Sequence, residues 1–283
     1  MLRIAIQKSG RLSEESIKLI KECGIKINNG KGKLKSAASN FPLQILYLRD
    51  DDIPGYVYDN VADIGIVGEN VYLEKSLDVQ AILKLGFSKC RLSLAIPKDK
   101  SYNGLDFFKG KNIATSYPNI TRKYLDSNGI EADIHEISGS VEIAPGIGLA
   151  DGICDIVSSG STLLTNGLRE VETILKSEAV LIGPMIFDKS KQEILDNLLF
   201  RIKSVQQGRN NKYILLNAPN DKIPEIISIL PGMKSPTVVP LAMEGWSSLH
   251  SVITEDQFWD IISNLKNAGA EGILVVPIEK MIM

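Results

Sequence analysis

Residues 148 to 168, GLADGICDIVSSGSTLLTNGL, read as a buried strand that runs into a loop sized for a phosphate. Ile153, Cys154, Ile156 and Val157 form an apolar run that holds one acid, Asp155. Ser158, Ser159, Gly160, Ser161 and Thr162 follow, and Leu163 and Leu164 then open a helical pattern. A strand that ends in glycine and small hydroxylic residues just before a helix turns several backbone N–H groups toward one point, where the helix dipole is positive. The stretch therefore predicts an anion cradle, with Asp155 facing polar groups of the same ligand. The same residues also read as an ordinary strand-to-helix turn with Thr162 as the N-cap.

The N-terminal segment repeats the pattern. Leu2 to Ile6 is a strand, Gln7-Lys8-Ser9-Gly10-Arg11 a turn, and Ser13 to Cys23 a helix, with Ser13, Glu14, Glu15 and Ser16 suited to its start and Gly24 to its stop. Lys8 and Arg11 flank Gly10, which makes the turn either a second phosphate site or a pair of solvated charges. Leu43 to Leu48 is another strand, and it delivers Arg49 and Asp50 to the place where open α/β sheets bind ligands. The cluster Arg49 to Asp52 otherwise reads as a solvated corner.

Val61 to Asn70, with Asp63, Gly65 and Gly68, echoes Ile153 to Gly160, with Asp155 and Gly160, roughly ninety residues later. The echo suggests two lobes built on one plan, each presenting a loop to a shared cleft. Cys90 to Pro97 is a strand whose polar exit leads to a fresh start: strand Lys111 to Thr115, turn Ser116-Tyr117-Pro118-Asn119, helix Ile120 to Ser127. Thr115, Ser116 and Tyr117 are thereby expected to face the cleft. After a strand over Ile134 to Ile137, Ser138-Gly139-Ser140 introduces a helix with Glu142 in its first turn, as a site residue or as a plain N-terminal acid.

Glu178 to Ile182 re-enters the first lobe as a strand, and the amphipathic helix Lys189 to Gln207 closes that lobe. Gly208 to Lys212 reads as a polar joint. Beyond it come strand Tyr213 to Ala218, helix Ile223 to Leu230 stopped by Pro231-Gly232, strands Thr237 to Pro240 and Leu249 to Ile253, helix Gln257 to Asn267 and strand Gly272 to Pro277. That order, βαββαβ, matches a ferredoxin-like module. The expected domains are residues 1–93 with 178–207 as lobe I, 94–177 as lobe II, and 208–283 as a separate C-terminal module.

Composition bounds the partners. The 283 residues are 44% hydrophobic and 23% charged with net charge −2, which suits a globular α/β protein and gives no general field for nucleic acid. No stretch approaches the ~20 apolar residues of a membrane span, and Met1 to Ile6 reads as a strand rather than a leader, so a cytoplasmic location is expected. The three cysteines, Cys23, Cys90 and Cys154, are far apart, as expected of reduced thiols packed as small apolar groups.

The segments RIAIQKSGRLSEES, LRDDDIPGYV, ADIGIVGEN, GKNIATSYPN, DGICDIVSSGSTL and LVVPIEKM, together and in order, resemble the long form of the ATP phosphoribosyltransferases, the first enzymes of histidine biosynthesis. The resemblance implies two catalytic lobes of the periplasmic-binding-protein type II plan and a C-terminal domain that binds histidine as feedback inhibitor. It further implies dependence on Mg2+, and dimers that assemble into hexamers.

The implied reaction joins ATP and phosphoribosyl pyrophosphate at N1 of adenine and releases pyrophosphate. Adenine N1 keeps a free lone pair at neutral pH, so the protein mainly positions two anions and stabilises charge in an oxocarbenium-like transition state. His135 and His250 are the only histidines, and His250 lies in the C-terminal module, which argues against a histidine-centred nucleophile. Carried over residue by residue, the resemblance gives Ser158, Ser159, Gly160, Ser161 and Thr162 to the 5′-phosphate of phosphoribosyl pyrophosphate. It places Asp155 and Glu142 by the ribose hydroxyls and magnesium, with the metal's own ligands left unassigned. Lys8, Gly10, Arg11, Arg49 and Tyr117 serve the nucleotide or diphosphate, Arg11 also acting in catalysis, and Thr237 lies in the effector pocket. Many relatives have threonine at Ser159 and histidine at Asn119. Two rival readings remain: a two-lobed binding protein that senses a phosphorylated metabolite, and a phosphoribosyltransferase for another base.

Overall fold

The computed structural model describes residues 1–27, 34–230 and 232–282. Packing divides the chain into two units, one of Met1–Lys21 with Ile25–Leu195 and one of Glu22–Gly24 with the chain from Asp196 onward.

In the first unit the chain runs β1 (Leu2–Gln7), α1 (Arg11–Glu22), β2 (Lys35–Ala37), β3 (Leu43–Leu48), α2 (Ile53–Tyr58), β4 (Ile64–Gly68), α3 (Glu69–Lys75) and β5 (Val79–Lys84). It continues through β6 (Cys90–Pro97), β7 (Asn112–Thr115), α4 (Pro118–Ser127), β8 (Asp133–Glu136), β9 (Gly152–Val157), α5 (Ser161–Thr165), β10 (Leu168–Ser177) and β11 (Ala179–Pro184). Two sheets result, ordered β2-β3-β1-β4-β11-β5 and β10-β6-β9-β7-β8.

The two orders are one plan used twice. Leaving aside β2, each sheet sets its second, first and third strands side by side, then a strand running the opposite way, then its fourth strand. The reversed strand is β11 in the first sheet, antiparallel to β4 and β5, and β6 in the second, antiparallel to β9 and β10. This is the type II periplasmic-binding-protein arrangement. The chain crosses between lobes twice, and the crossings are bonded together: Ala179 N–H donates to Phe87 O and Leu85 N–H to Ala179 O, both at 2.9 Å.

The internal echo is real but in a different register from the sequence match. Asp63 stands just before β4 and accepts the N–H of Arg3 on β1 at 2.7 Å. Asp151 stands just before β9 and accepts the N–H of Asn112 on β7 at 3.0 Å. Asp63 N–H returns to Arg3 O and Asp151 N–H to Asn112 O. Asp63 therefore corresponds to Asp151, not Asp155. Each of the matched acids ties the first and third strands of its lobe at their N-terminal ends, which leaves Asp155, farther along β9, for the ligand side.

Each sheet is cored by β-branched and leucine side chains. In the first lobe Ile53, Val57, Ala62, Val67, Val180 and Ile182 cluster, and in the second Leu92, Leu94, Phe108, Ile113, Leu125 and Cys154 do so. Gly65 has a specific duty, because a Cβ there would stand 2.5 Å from Ile53 Cγ2 and 3.2 Å from Val57 Cγ2. Only a glycine lets α2 lie that close to β4.

Several expected boundaries move. The first helix opens at Arg11, so Ser13 and Ser16 are buried within it, and Ser16 Oγ donates to Leu12 O at 2.6 Å instead of capping. The helix expected at Ile120 begins at Pro118, whose missing N–H costs nothing in a first turn. The one expected around Glu142 is a single 3₁₀ turn, Val141–Ile143.

The second unit holds α6 (Gln192–Asn210) from Asp196 onward, where Leu198, Ile202 and Val205 are buried. The joint expected at Gly208 to Lys212 is no linker: α6 runs through Asn210 and β12 (Asn211–Pro219) starts at the next residue. Then come α7 (Ile223–Ile229), β13 (Thr237–Pro240), β14 (Trp246–Thr254), α8 (Glu255–Asn267) and β15 (Glu271–Pro277). The antiparallel sheet β13-β14-β12-β15 is the ferredoxin-like order, with Ile214, Leu216, Ile226, Leu249 and Leu265 at its core. Thr254 and Gln257 cap α8 reciprocally. The Pro231 stop lies outside the described residues.

At Gly208 the chain after β15 crosses α6, and a Cβ there would lie 2.7 Å from Ile278 O and 2.8 Å from Lys280 N. Backbone cannot swing aside as a side-chain tip can. Gly208→Ala is therefore expected to cost about 1–3 kcal/mol and to free the segment that Met281 N–H anchors to Ser204 O. A lower urea midpoint with faster proteolysis near the C-terminus would report it; an unchanged midpoint would refute the close packing.

Candidate active site

The ligand side of each lobe is built from the C-terminal ends of its parallel strands. Lys8, Gly10 and Arg11 follow β1, Arg49 and Asp50 follow β3, Tyr117 follows β7, and Ser158 to Thr162 follow β9. Glu142 sits in the turn before β9.

Between the two lobes lies a cleft of about 650 Å³ whose walls include Asp50, Asp51, Glu74, Lys75, Ser116, Tyr117, Asn119, Arg122 and Glu136. Tyr117 is central to it. Its hydroxyl accepts a hydrogen bond from Asn70 Nδ2 at 3.1 Å. Its phenol is held well above the ordinary tyrosine range, first by burial and then by the negative charges of Asp155, Asp51 and Asp50. Asp50 from the first lobe and Asp155 from the second therefore both face Tyr117 electrostatically. Thr115, expected in the cleft, is fully buried, and its Oγ1 accepts the N–H of Tyr117 at 2.9 Å.

Asp155 is half-buried. One carboxylate oxygen accepts the N–H of Ile156 at 2.8 Å. Burial raises its pKa, and Glu142 raises it further. No arginine or lysine is ion-paired to it among the described residues. A carboxylate whose charge is disfavoured by burial and by a neighbouring acid, with no ion-paired base among the described residues, is a place that favours a cation.

After β9 the backbone turns through Gly160, at φ +81°, into α5. Thr162 is therefore inside the helix and does not cap it; the N-cap is Gly160, which has no side chain to offer. Ser158, Ser159, Ser161 and Thr162 are exposed. Ser159 Oγ and Ser161 Oγ lie 3.0 Å apart, and Arg91 Nη1 holds Ser158 O at 3.2 Å while its guanidinium pairs with Glu170. The loop thus presents hydroxyls and helix-start amides to solvent. Cys154, one strand position before Asp155, is fully buried with its thiol pushed up to about 12, so it packs.

The basic turn is equally open. Gly10 takes φ +94°, and Arg11 is 74% exposed with Glu15 Oε2 3.8 Å from its Nε. Lys8 and Arg49 are exposed too. Of the expected site residues Tyr117 lines the cleft between the lobes, and Lys8, Gly10, Arg11, Arg49, Glu142, Asp155 and Ser158 to Thr162 do not. In the C-terminal sheet Thr237 is exposed and sits opposite His250 in register, and Tyr213 Oη lies 2.7 Å from His250 Nδ1. His135 Nε2 lies 3.1 Å from Asn112 Oδ1, and it does not line the cleft.

Sequence reasoning missed two residues that join the lobes. Glu74, 9% exposed on α3, accepts the N–H groups of Asn119 at 2.8 Å and Ile120 at 3.0 Å, so a first-lobe carboxylate caps a second-lobe helix. Asn70, one helical turn earlier, holds Tyr117. Both lie in the segment ENVYLE, where a spacing of four residues on a helix was the available signal. Among the described residues no group of three or more histidines, cysteines and acids is arranged to hold a metal, and no helix is long and apolar enough to cross a membrane.

Comparison with known proteins is consistent across the chain. A family model described as ATP phosphoribosyltransferase matches residues 49–204, and one described as HisG, C-terminal domain matches residues 208–280. A Cytophaga hutchinsonii protein named ATP phosphoribosyltransferase is 62% identical over 282 residues, covering 100% of this chain and 99% of its own. One of the same name from Phocaeicola vulgatus is 60% identical over 283 residues, covering 100% of both. A chain of the solved ATP phosphoribosyl transferase (HisG:HisZ) complex from Thermotoga maritima superposes with TM-score 0.61 at 30% identity, covering 72% of this chain and 99% of that one.

Proposed function

Because the chain belongs to the ATP phosphoribosyltransferase family of histidine biosynthesis, we propose that it joins its two substrates in the cleft between the lobes, at Tyr117 and Asp155. The substrates, ATP and phosphoribosyl pyrophosphate, follow from the family. The bond made runs from the lone pair of adenine N1 to C1′ of the phosphoribosyl group. The C1′–O bond breaks, and its electron pair leaves with pyrophosphate.

One observation carries the placement: Tyr117 of the second lobe is hydrogen-bonded by Asn70 of the first at 3.1 Å in a cleft that Asp50 and Asp51 also line. The turn after β3, with Asp50 and Asp51, and the turn after β7, with Ser116 and Tyr117, both line that cleft, which suits two substrates. Ser158, Ser159, Gly160, Ser161 and Thr162 cradle the 5′-phosphate, and Asp155 and Glu142 flank the ribose, where their charge favours the positive character that develops at C1′. Lys8, Gly10, Arg11 and Arg49 take the phosphates of the nucleotide or the leaving diphosphate. Holding both reactants accounts for much of the acceleration, since effective molarities reach ~10⁵ M or more.

The donor set suits magnesium. The cleft walls carry Asp50, Asp51, Glu74 and Glu136 against Lys75 and Arg122, so a polyphosphate enters best with its cation. Asp155 and Glu142 would supply hard oxygen ligands of the kind Mg2+ takes alongside substrate phosphates. Held there, Mg2+ would supply charge neutralisation for a leaving diphosphate. The C-terminal unit, with Thr237 near His250 and Tyr213, is the proposed seat of feedback inhibition by histidine, in a homo-oligomer that grows from dimer to hexamer in the cytoplasm.

The test is near-ultraviolet absorbance on mixing the protein with ATP, phosphoribosyl pyrophosphate and magnesium, with pyrophosphatase present. Product absorbance should rise, and histidine should suppress the rise. Turnover that histidine leaves untouched removes the regulatory part of the proposal, and an absence of turnover removes all of it.

A further inference from the structure

The hydrogen bonds around Asn70 have a direction that reaches the cleft. Asn70 is 4% exposed, and its backbone N–H donates to Ser177 Oγ at 3.1 Å. With that donor already directed at its oxygen, Ser177 gives its own single proton to Asn70 Oδ1, 2.9 Å away. The Asn70 amide is thereby oriented: its oxygen faces Ser177 and its NH2 faces Tyr117, to which Nδ2 donates at 3.1 Å. Gly68 leaves room for that orientation, since a Cβ there would stand 2.5 Å from Asn70 Oδ1.

We infer that Asn70 and Ser177 are positioning residues that fix the polarity of Tyr117, so that its hydroxyl enters the cleft as a hydrogen-bond donor to an acceptor atom of the bound substrate. The phenol oxygen receives Asn70's proton on one lone pair, and its own proton is left to point away from Asn70. Burial and the acids around it keep that proton in place. The acceptor is of the class that both substrates carry, an oxygen of phosphate or ribose or an unprotonated ring nitrogen of the base. The inference rests on the placement of Tyr117 in the substrate site and adds the direction in which it acts.

The test is a double-mutant cycle on Tyr117→Phe and Asn70→Asp, read as kcat/KM for the two substrates with thermal melting as the control for folding. Tyr117→Phe removes the donor, and about a tenfold loss is expected. Asn70→Asp keeps the shape and the acceptor for Ser177, but its second oxygen can only accept, so it draws the Tyr117 proton away from the cleft. It is expected to lose about as much, and the double variant no more than either single one. A role in holding the fold alone would give losses that multiply. Should Asn70→Asp fail to fold, Ser177→Ala replaces it: the amide loses its orienting partner, and a loss is expected that vanishes in the Tyr117→Phe background. Multiplied losses overturn the polarity inference while leaving Tyr117 in the site. A silent Tyr117→Phe overturns the placement and the inference with it.

Discussion

Asp155→Asn is expected to lower kcat by about 10² to 10³-fold without weakening the unliganded fold. The carboxylate is proposed to face the ribose, where its charge is opposed to the positive character of the transition state, and asparagine keeps its shape but removes that charge. The fold itself gains nothing from the charge. Burial pushes the Asp155 carboxyl up, Glu142 pushes it further, and only the N–H of Ile156 acts the other way. A carboxyl raised in the folded state favours folding at low pH, and that contribution is lost as pH rises through the ordinary carboxylate range to its folded value. At neutral pH the ionised Asp155 is therefore a net cost. The variant should melt no lower than the parent at pH 7, and any advantage should shrink when both are acidified below pH ~4. A melting temperature several degrees lower at pH 7, or full turnover, would remove Asp155 from the site.

Asp63→Asn is expected to do the reverse, costing about 3 kcal/mol of stability and leaving the kinetic constants of the folded fraction near those of the parent. Asp63 is 8% exposed and accepts from Arg3 N–H at 2.7 Å, the Arg3 guanidinium at 3.2 Å and the Lys191 ammonium at 2.7 Å. Burial alone would raise its carboxyl, but the hydrogen bonds from Lys191 and Arg3 more than offset it, and the group is held below the usual range. Its contribution is thus present above the ordinary carboxylate value and fades as pH falls through the lowered one. Asparagine removes the counter-charge that Arg3 and Lys191 share, leaving Lys191 only the longer 3.8 Å pair with Asp188. Urea midpoints at pH 7 and at pH 3 decide the matter: the gap between parent and variant should be wide at the first and narrower at the second. An equal gap at both would mean that packing, not charge, is what Asp63 supplies.

These two acids show what could be read from the sequence and what could not. The apolar run around Asp155 and the Ser-Gly turn after it are local signals, and strand, loop and helix fall where they predict. The match between Asp63 and Asp155 failed because short D-I-apolar strings recur by chance, whereas the bond that equates Asp63 with Asp151 joins residues distant in the chain. The same limit hid β10. Its pairing with β6 slips between Glu170 and Glu172 and again between Thr173 and Leu175, so Val171, Ile174 and Leu175 do not keep the period of two that marks a strand. Glu74 and Asn70 read as ordinary helix residues until the second lobe is brought against them. The C-terminal βαββαβ order, by contrast, was legible, since its elements after the start of β12 are bounded by Pro, Gly or a capping box. In α6 the long apolar period gave the helix but not its allegiance, because Gly208, Arg209 and Asn210 of the run that looked like a joint continue its last turn.

The place of β11 also bears on how a nascent chain matures. β11 lies between β4 and β5, so the first sheet has a gap next to its edge strand until residues 179 to 184 have left the ribosome. Every strand of the second sheet lies between residues 90 and 177. The lobe begun first is thus the one finished last, and while the second lobe is synthesised and closed, the first waits with β4 and β5 as two open edges, the kind of surface on which neighbouring chains mispair.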